Sequence, residues 1–313
     1  MFDLITWLVT RKCGLKCDIC NFVTDIPDPP VEKKIEALEI FKSWEGYSDR
    51  FICLLGGDIS FMEDVPDFLG TMNYLNLPYG FQTSAIRTSL MKQVYMDLHN
   101  LSISADFVTF KEDKWRYLKE FCGLGWAKKC KEINPGVDVH ATVTIDKLNV
   151  NRVAKGIMRL SDLGIWSELT FLHWKKPGFD LVFDMKDQAA SIDDVKRLAD
   201  QVLSLKQLGY LVHSSVEFIS SWETYLGGLS WRCDHPYVLM LDADLTMRMC
   251  LHHPGRRVRD WSIFHLKNQS SWLIFLKVWE EDRLELCPSC FWDCQFEICN
   301  SKKNPIKWVD HRG

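Results

Sequence analysis

The sequence predicts an α/β fold in which a partial (β/α)6 TIM-like barrel precedes a small, cysteine-rich C-terminal domain containing a β-hairpin. Short apolar runs rich in β-forming residues alternate with longer stretches of helical period, which is typical of repeated βα units around a parallel sheet or barrel. After Gly227 and Gly228 the composition shifts towards Cys, Trp and His. We place the domain boundary near Ser230, with the barrel over residues 1–230 and the smaller domain over residues 231–313.

Six runs predict the barrel strands, and each is followed by a loop and a helix candidate. Helical period is clearest in Asn151–Leu163 and Ser191–Leu208, where apolar residues recur three and four apart and a glycine follows. Tyr210–Ile219 is interpreted as a further strand. Tyr237–Leu241 and Leu245–Cys250 flank a short turn with the spacing of a β-hairpin. The six predicted barrel strands are Leu4–Val9, Phe51–Leu55, Gly80–Ser84, Leu101–Asp106, Val137–Thr144 and Glu168–Trp174.

The composition predicts a soluble, cytoplasmic protein with no nucleic-acid and no membrane partner. Of 313 residues, 47% are hydrophobic and 26% are charged, and the formal net charge is -4, so no basic surface for polyanions is indicated. The apolar N-terminal run lacks a basic leader and a cleavage site, and no stretch has the roughly 18 uninterrupted apolar residues of a membrane-spanning helix. Twelve cysteines without a secretion signal favour metal ligands in a reducing compartment over disulfides.

Three cysteines, Cys13, Cys17 and Cys20, lie within one short segment directly after the first predicted strand. Three thiolates can converge on one metal centre, and a four-iron cluster ligated by three cysteines keeps one iron open to an outside ligand. A zinc site requires a fourth Cys or His at compact spacing, and none lies between Cys20 and Cys53. An iron-sulfur cluster is therefore favoured, with zinc as the alternative.

This cysteine spacing resembles the motif of the radical S-adenosylmethionine superfamily, which lies at the end of the first barrel strand. The resemblance implies a 4Fe-4S cluster whose open iron binds the amino and carboxylate groups of S-adenosylmethionine. It also implies that one electron, from a reductant such as flavodoxin or ferredoxin, produces a 5'-deoxyadenosyl radical under anaerobic conditions, and that this radical abstracts a substrate hydrogen. Ile19 replaces the family's usual aromatic residue near the adenine, and Phe22 is expected to supply part of that contact.

Two further segments resemble cofactor-binding motifs of the same family. Gly56, Gly57 and Asp58 end the second strand and resemble a Gly-Gly-Glu motif whose backbone meets the methionine amino group, with Asp replacing Glu. Two glycines also suit any tight βα turn. Ser104 and Asp106 resemble the fourth-strand residues around the ribose and carboxylate of the cofactor, and the alternative is that they form a simple polar strand end.

Other residues carry weaker expectations. Asn149 resembles a family position after the fifth strand, and the equal alternative is an N-cap of the following helix. His173–Lys176 follows the sixth strand on the side where barrel enzymes place ligands, and its residues are candidate substrate contacts. Three cysteines fit no ligand spacing and are interpreted as small buried hydrophobic residues: Cys53, Cys122 and Cys130.

The C-terminal cysteines predict a second metal site. Cys233 and Cys250 bracket the predicted hairpin, and Cys287 and Cys290 form a tight pair downstream. Alone, this pattern favours structural zinc. Beside the first motif it resembles the Twitch or SPASM domain of radical enzymes, which implies an auxiliary 4Fe-4S cluster on these four cysteines. Two further cysteines are open to three roles, as ligands of another cluster, as replacements for one of the four or as a hydrogen-atom donor: Cys294 and Cys299.

The resemblance implies an oxidoreductase that consumes S-adenosylmethionine in a net oxidation, with the auxiliary cluster as electron acceptor. A redox-neutral epimerisation and a peptide crosslink are the alternative reactions. A zinc-stabilised binding protein is the alternative without catalysis. Because the motif starts at Cys13, we expect no peptide-binding module ahead of the barrel, which favours a small-molecule substrate or a peptide presented by a separate partner.

Overall fold

Six parallel strands follow one another across one sheet in chain order. The structure is a computed structural model that describes residues 4–17, 20, 27–44, 51–84, 87, 100–172, 186–226, 229–231, 238–248, 257–286, 297 and 308–310. Each of the six strands pairs in parallel with the next, which confirms the predicted α/β class and its parallel sheet. The strands are β1 (Leu4–Thr10), β2 (Phe51–Gly56), β3 (Tyr79–Thr83), β4 (Asn100–Ser104), β5 (Asp138–Ile145) and β6 (Trp166–Phe171).

A helix follows every one of these strands except β3 in the described part of the chain, as the hydrophobic period predicts. The fifth helix shows why: the hydroxyl of Ser191 accepts a hydrogen bond from the Asp194 amide at its start, and Val195, Leu198 and Val202 are buried along one face. The helix candidate after β3 falls in residues 85–99, which lie outside the described residues except for Arg87. Among the described residues, every helix is too short or too polar to span a lipid bilayer. The helices are α1 (Val31–Ser43), α2 (Val65–Tyr74), α3 (Lys114–Ile133), α4 (Val153–Asp162), α5 (Ile192–Gln207), α6 (Val216–Ser220), α7 (Trp222–Leu226) and α8 (Gln269–Leu286).

Both faces of the sheet are buried, as expected for parallel strands. Along β1, Trp7 belongs to the main hydrophobic core and packs edge-on against Phe41 of α1 and Phe68 of α2. The next residue, Leu8, faces the other side and packs with Val238. This alternation is the two-residue period of a strand, and it holds the C-terminal ends of β1 and its neighbours in fixed register.

The predicted C-terminal hairpin is present and extends this same sheet. Strand β8 (Val238–Leu241) pairs in parallel with β1, and β9 (Thr246–Arg248) pairs antiparallel with β8. Strand β10 (Arg257–Ser262) continues the order outward. The domain boundary near Ser230 stays a prediction. A separate two-stranded sheet joins β7 (Leu229–Trp231) to β11 (Trp308–Asp310).

The strand predicted over Tyr210–Ile219 is wrong. Only one bridge forms there, between Ser167 of β6 and Val212, and the chain then enters α6. The hydroxyl of Ser215 accepts a hydrogen bond from the Phe218 amide and caps this short helix. A serine cap therefore outweighs the β-forming residues of the run.

Candidate functional site

The three clustered cysteines lie in the loop that leaves the C-terminal end of β1. Cys13, Cys17 and Cys20 are all half-buried. The amide of Cys20 donates to the carbonyl of Cys17 at 3.0 Å, and the amide of Leu15 donates to Sγ of Cys13 at 3.4 Å. The loop thus folds back on itself, which brings the second and third thiols into one turn.

Charged side chains of other elements act on the thiols of this loop. Burial raises the pKa of the Cys17 thiol to about 12, and the positive charge of Lys119 on α3 opposes that effect. Burial also raises the pKa of Cys13, where the Leu15 amide opposes it and the carboxylate of Asp58 adds to it. The ends of β1 and β2 and one side of α3 therefore share one electrostatic environment, at the edge where parallel barrels place their ligands.

Gly56 and Gly57 lie directly against the backbone that carries Cys13. The amide of Gly57 donates to the carbonyl of Thr10 at 2.8 Å, and the amide of Asp58 donates to the carbonyl of Lys12 at 2.9 Å. A Cβ atom on Gly57 would lie 2.3 Å from the Lys12 carbonyl oxygen, and one on Gly56 would lie 2.6 Å from that of Thr10. Only glycine permits so close an approach, so these two residues do more than form a turn: they position the cysteine loop.

The Asp58 side chain points to the neighbouring strand rather than into open space. Its carboxylate is buried and accepts hydrogen bonds from the hydroxyl of Thr83 at 2.8 Å and the amide of Ser84 at 2.9 Å. It also accepts the amide of Ser60 and so caps a short 3-10 turn. These contacts leave the backbone of the Gly56–Asp58 segment as the part that faces the loop. The cofactor role of Asp58 stays a prediction.

Asp106 is part of a buried ion network that the sequence reasoning missed. Its carboxylate accepts from Nε of Arg116 at 2.9 Å and from the Thr144 amide at 3.0 Å. Arg116, in the first turn of α3, also pairs with Asp146 after β5. Burial lowers the pKa of Arg116, but the two carboxylates outweigh it and hold the pKa above its ordinary value. The only sequence signal was an arginine on the inward face of α3, one turn before the buried Glu120.

Asn149 ties the ends of β4 and β5 together. Its amide nitrogen donates to the carbonyls of Asp106 at 2.7 Å and Thr144 at 2.6 Å, and its amide oxygen accepts from the Asp146 amide at 2.9 Å. The residue at the start of α4 is Arg152, so the N-cap alternative for Asn149 is wrong. Ser104 is buried at the end of β4, and its cofactor role, like that of Asp106, stays a prediction.

A second buried ion pair joins the cysteine loop to the C-terminal hairpin. Nη2 and Nε of Arg11 donate to Oδ1 of Asp242 at 2.7 Å and 3.0 Å, and both side chains are buried. Asp242 lies in the turn between β8 and β9. On its other side the loop is held by Asp28, which accepts the Thr10 hydroxyl at 2.7 Å. The position of Cys13 therefore depends on segments far apart in the sequence.

The cysteine loop supplies the soft sulfur donors that iron-sulfur clusters use. Within the described ranges, no three His, Cys, Asp or Glu side chains lie close enough together to hold one metal ion. Three soft thiolates in one half-buried loop match cysteine ligation of iron. Several predicted residues fall outside the described part: Phe22, His173–Lys176, Cys233, Cys250, Cys287, Cys290, Cys294 and Cys299.

Solved structures share this architecture. The SuiB protein of Streptococcus suis superposes with a TM-score of 0.63 at 14% identity, over 89% of this chain and 65% of SuiB. The form bound to S-adenosylmethionine gives 0.65 at 13% identity, over 90% and 68%. The anSMEcpe protein with bound AdoMet and the Cp18Cys peptide gives 0.57 at 14% identity, over 88% and 82%. These neighbours are radical S-adenosylmethionine enzymes. The chain has their fold.

No protein-family model matches the sequence, and no curated protein matches it. The chain spans about two thirds of the length of SuiB. At 13% to 14% identity, the likeness extends to the fold, and chemistry has to be argued from the residues of this chain.

Proposed function

We infer that the chain is a radical S-adenosylmethionine enzyme and that it acts on a peptide. One observation carries the inference: the loop with Cys13, Cys17 and Cys20 leaves the first strand of a parallel barrel-type sheet and is held there by the Gly56-Gly57 turn. The fold of the neighbours supports it. Both features together are more specific than either alone, because a glycine turn or a cysteine trio can each serve a structural role.

In this proposal the three cysteines hold a 4Fe-4S cluster, and the bound cluster with S-adenosylmethionine supplies one-electron cleavage that starts hydrogen abstraction. The chain's own residues position these groups. The backbone of Gly56 and Gly57 faces the loop, and the Asp106–Arg116–Asp146 network holds the ends of β4 and β5 beside it. Burial raises the pKa of the Cys13 and Cys17 thiols, and the positive charge of Lys119 opposes part of that effect.

The peptide substrate is supported by the neighbours and by no contact within this chain. SuiB is solved with its precursor peptide SuiA and anSMEcpe with the Cp18Cys peptide. A small molecule is the alternative substrate. The net reaction we propose is an oxidation, with epimerisation or crosslinking as alternatives.

An auxiliary cluster on Cys233, Cys250, Cys287 and Cys290 belongs to the same proposal. Its support is the hairpin of β8 and β9, which lies between the first two of these cysteines in sequence. The two strands of an antiparallel hairpin begin and end at the same side. The first residue of β8 and the last residue of β9 therefore lie on one side of the hairpin. A closed four-cysteine site can accept an electron without binding the substrate.

The first experiment measures S-adenosylmethionine cleavage. Anaerobically reconstituted protein with dithionite should form methionine and 5'-deoxyadenosine, and the variant with Cys13, Cys17 and Cys20 all changed to Ala should form none. Cys122→Ala, at a half-buried cysteine of α3, is the matched control and should keep the wild-type rate. Product from the triple variant would refute the radical site.

The second experiment counts metal. Total iron near eight per chain, on the order of two four-iron clusters, should fall by half in the triple variant. Zinc in place of the remaining iron would favour a structural C-terminal site. If Cys290→Ala lost the second cluster but formed the oxidised product at the wild-type rate, the electron-accepting role would be excluded. Zinc without any iron in the wild type would favour the non-catalytic binding protein.

A further inference from the structure

One face of α3 exposes aromatic side chains to solvent. Phe121 is 67% exposed and Tyr117 38% exposed, and Phe110, just before the helix, is 51% exposed. The rings form a continuous row: Phe110 meets Tyr117 edge-on at 5.8 Å between ring centroids, and Tyr117 stacks on Phe121 at 6.5 Å. Exposed single aromatics are common, but a contiguous row marks an interaction surface.

The row runs along the outward side of the helix. Arg116, Glu120 and Gly123 lie on the opposite, inward side, where Arg116 binds Asp106 and Glu120 accepts the amide of Phe107. The inward side is therefore fully used by the fold. On the outward side, the rings of Phe110, Tyr117 and Phe121 stay exposed in the part of the chain that the structure describes.

A glycine on the same outward side has no packing reason among the described residues. A Cβ atom on Gly125 would meet nothing within 4 Å, although glycine in a helix interior costs about 0.5–1 kcal/mol relative to alanine. Gly123, two residues earlier, does have a reason, since its Cβ would lie 3.2 Å from Cβ of Ile103. At Gly125 the missing side chain gives a flat surface next to Phe121, which lets the backbone of a partner approach closely.

Lysines border the row. Lys114 and Lys128 are exposed on the outward side at its two ends, and Lys111 is exposed just before the helix. The ammonium group of Lys114 lies 6.0 Å from the ring centroid of Phe110. Of the acids near this end, Glu112 already pairs with Arg152. A locally basic, aromatic face on a chain of net charge -4 fits an acidic protein partner.

The N-terminal end of the same helix lies at the C-terminal edge of the parallel sheet. Asp113 caps its first turn, and Arg116 in that turn binds Asp106 just after the end of β4. The cysteine loop leaves β1 at this same edge of the sheet. A protein seated on the row would therefore approach this edge from the outer side of α3.

We propose that the stripe of Lys114, Tyr117, Phe121, Gly125 and Lys128 is the docking surface for an acidic one-electron carrier of the ferredoxin or flavodoxin class. This proposal rests on the proposed function, which needs an outside electron. In each turnover the carrier is oxidised by one electron and the cluster at Cys13, Cys17 and Cys20 is reduced by one.

The test compares two reductants on matched variants. Lys114→Glu/Lys128→Glu reverses the charge of the stripe. Lys42→Glu/Lys277→Glu makes the same change in net charge at exposed lysines of α1 and α8 and is the control. The rate of 5'-deoxyadenosine formation is measured with dithionite and with increasing concentrations of an acidic [2Fe-2S] ferredoxin kept reduced by its NADPH-dependent reductase.

The stripe variant should keep its dithionite rate, and its KM for ferredoxin should rise about tenfold or more, since complementary charge acts mainly on association. The control should change less than twofold. Phe121→Ser should raise the same KM with no change in the dithionite rate. Equal ferredoxin KM values for the stripe variant and the wild type would overturn the proposal.

A direct measurement of ferredoxin binding tests the docking surface without depending on S-adenosylmethionine cleavage. Calorimetric titration of ferredoxin should show binding by the wild type that weakens with added salt and is lost in the stripe variant. If the wild type cleaves no S-adenosylmethionine with either reductant, the proposed function fails and this titration still decides the surface. Loss of peptide product with dithionite, or a wild-type dimer that Phe121→Ser dissociates, would assign the stripe to another occupant and overturn the carrier.

Discussion

Replacing Gly57 by alanine should displace the cysteine loop, because the added methyl group meets backbone rather than a side chain that can turn away. The new Cβ atom would lie 2.3 Å from the carbonyl oxygen of Lys12, 2.7 Å from its carbonyl carbon and 2.8 Å from the carbonyl oxygen of Arg11. Contacts of that length cannot be kept, so the turn and the loop have to separate.

The cost follows from what the separation breaks. Overpacking of this kind costs about 1–3 kcal/mol. Two backbone hydrogen bonds also hold the segments together, from Gly57 to Thr10 and from Asp58 to Lys12, and each contributes about 1 kcal/mol. Gly57→Ala should therefore lower the free energy of unfolding by about 3–5 kcal/mol.

Gly70→Ala is the matched control. Gly70 lies in α2, and a Cβ atom there would meet nothing within 4 Å, so this variant should gain about 0.5–1 kcal/mol from the lower entropy of its unfolded chain. Urea unfolding before reconstitution, followed by circular dichroism, measures both stabilities, and iron content after reconstitution reports the loop. A Gly57→Ala variant as stable as wild type and with full iron would refute the close approach on which the positioning role depends.

Three further predictions concern the buried charges. Arg116→Met should lower the free energy of unfolding by about 3–5 kcal/mol, because it leaves the carboxylates of Asp106 and Asp146 buried without their partner; a urea midpoint unchanged from wild type would contradict the network. Asp242→Asn should lower the free energy of unfolding by about 3 kcal/mol because it removes the buried carboxylate charge that Arg11 contacts. It should also reduce iron binding after reconstitution, whereas full iron content would show that the hairpin does not support the loop. Burial raises the pKa of Glu120, so the native state holds this proton more tightly than the unfolded state, and stability should fall as pH rises from about 4.3. Glu120→Gln removes this titratable carboxyl group. Urea unfolding at pH 5 and pH 8 should therefore show that the free energy of unfolding falls less with rising pH in the variant than in wild type. Equal falls in the two proteins would argue against the buried acid.

The strands of the barrel were predictable because each is a local pattern. The runs from Leu4 and from Phe51 begin where the observed strands begin, since a buried parallel strand is apolar on both faces and bounded by turns. The same rule failed over Tyr210–Ile219, where β-forming residues precede and follow Ser215. The hydroxyl of Ser215 accepts a hydrogen bond from a backbone amide in the first turn of α6. A count of apolar residues cannot detect this helix cap.

The candidate site likewise contains parts that the sequence predicts and parts that it does not. The cysteine motif and the glycine turn are short segments with fixed spacing, so they were visible in sequence. The partners that hold them were not: Arg11 and Asp242 are 231 positions apart, and the carboxylates of Asp106 and Asp146, which follow two different strands, both pair with Arg116. Long-range ion pairs have no local period, and one carboxylate among many carries no sign of burial until the sheet brings the strand ends together.

These long-range contacts hold the backbone that leads to the first cysteine. The segment from Thr10 to Cys13 is held by Asp28 on one side, by the Gly57 turn on another and by Asp242 of the hairpin on a third. Folding of the barrel and hairpin therefore determines where Cys13 lies. Because metal affinity contains the free energy of ordering its ligands, loosening any of the three contacts should weaken iron binding even when all three cysteines are intact. Through Arg11 the hairpin should thus influence the proposed cluster site at Cys13, Cys17 and Cys20, independently of any ligand that its own cysteines would provide.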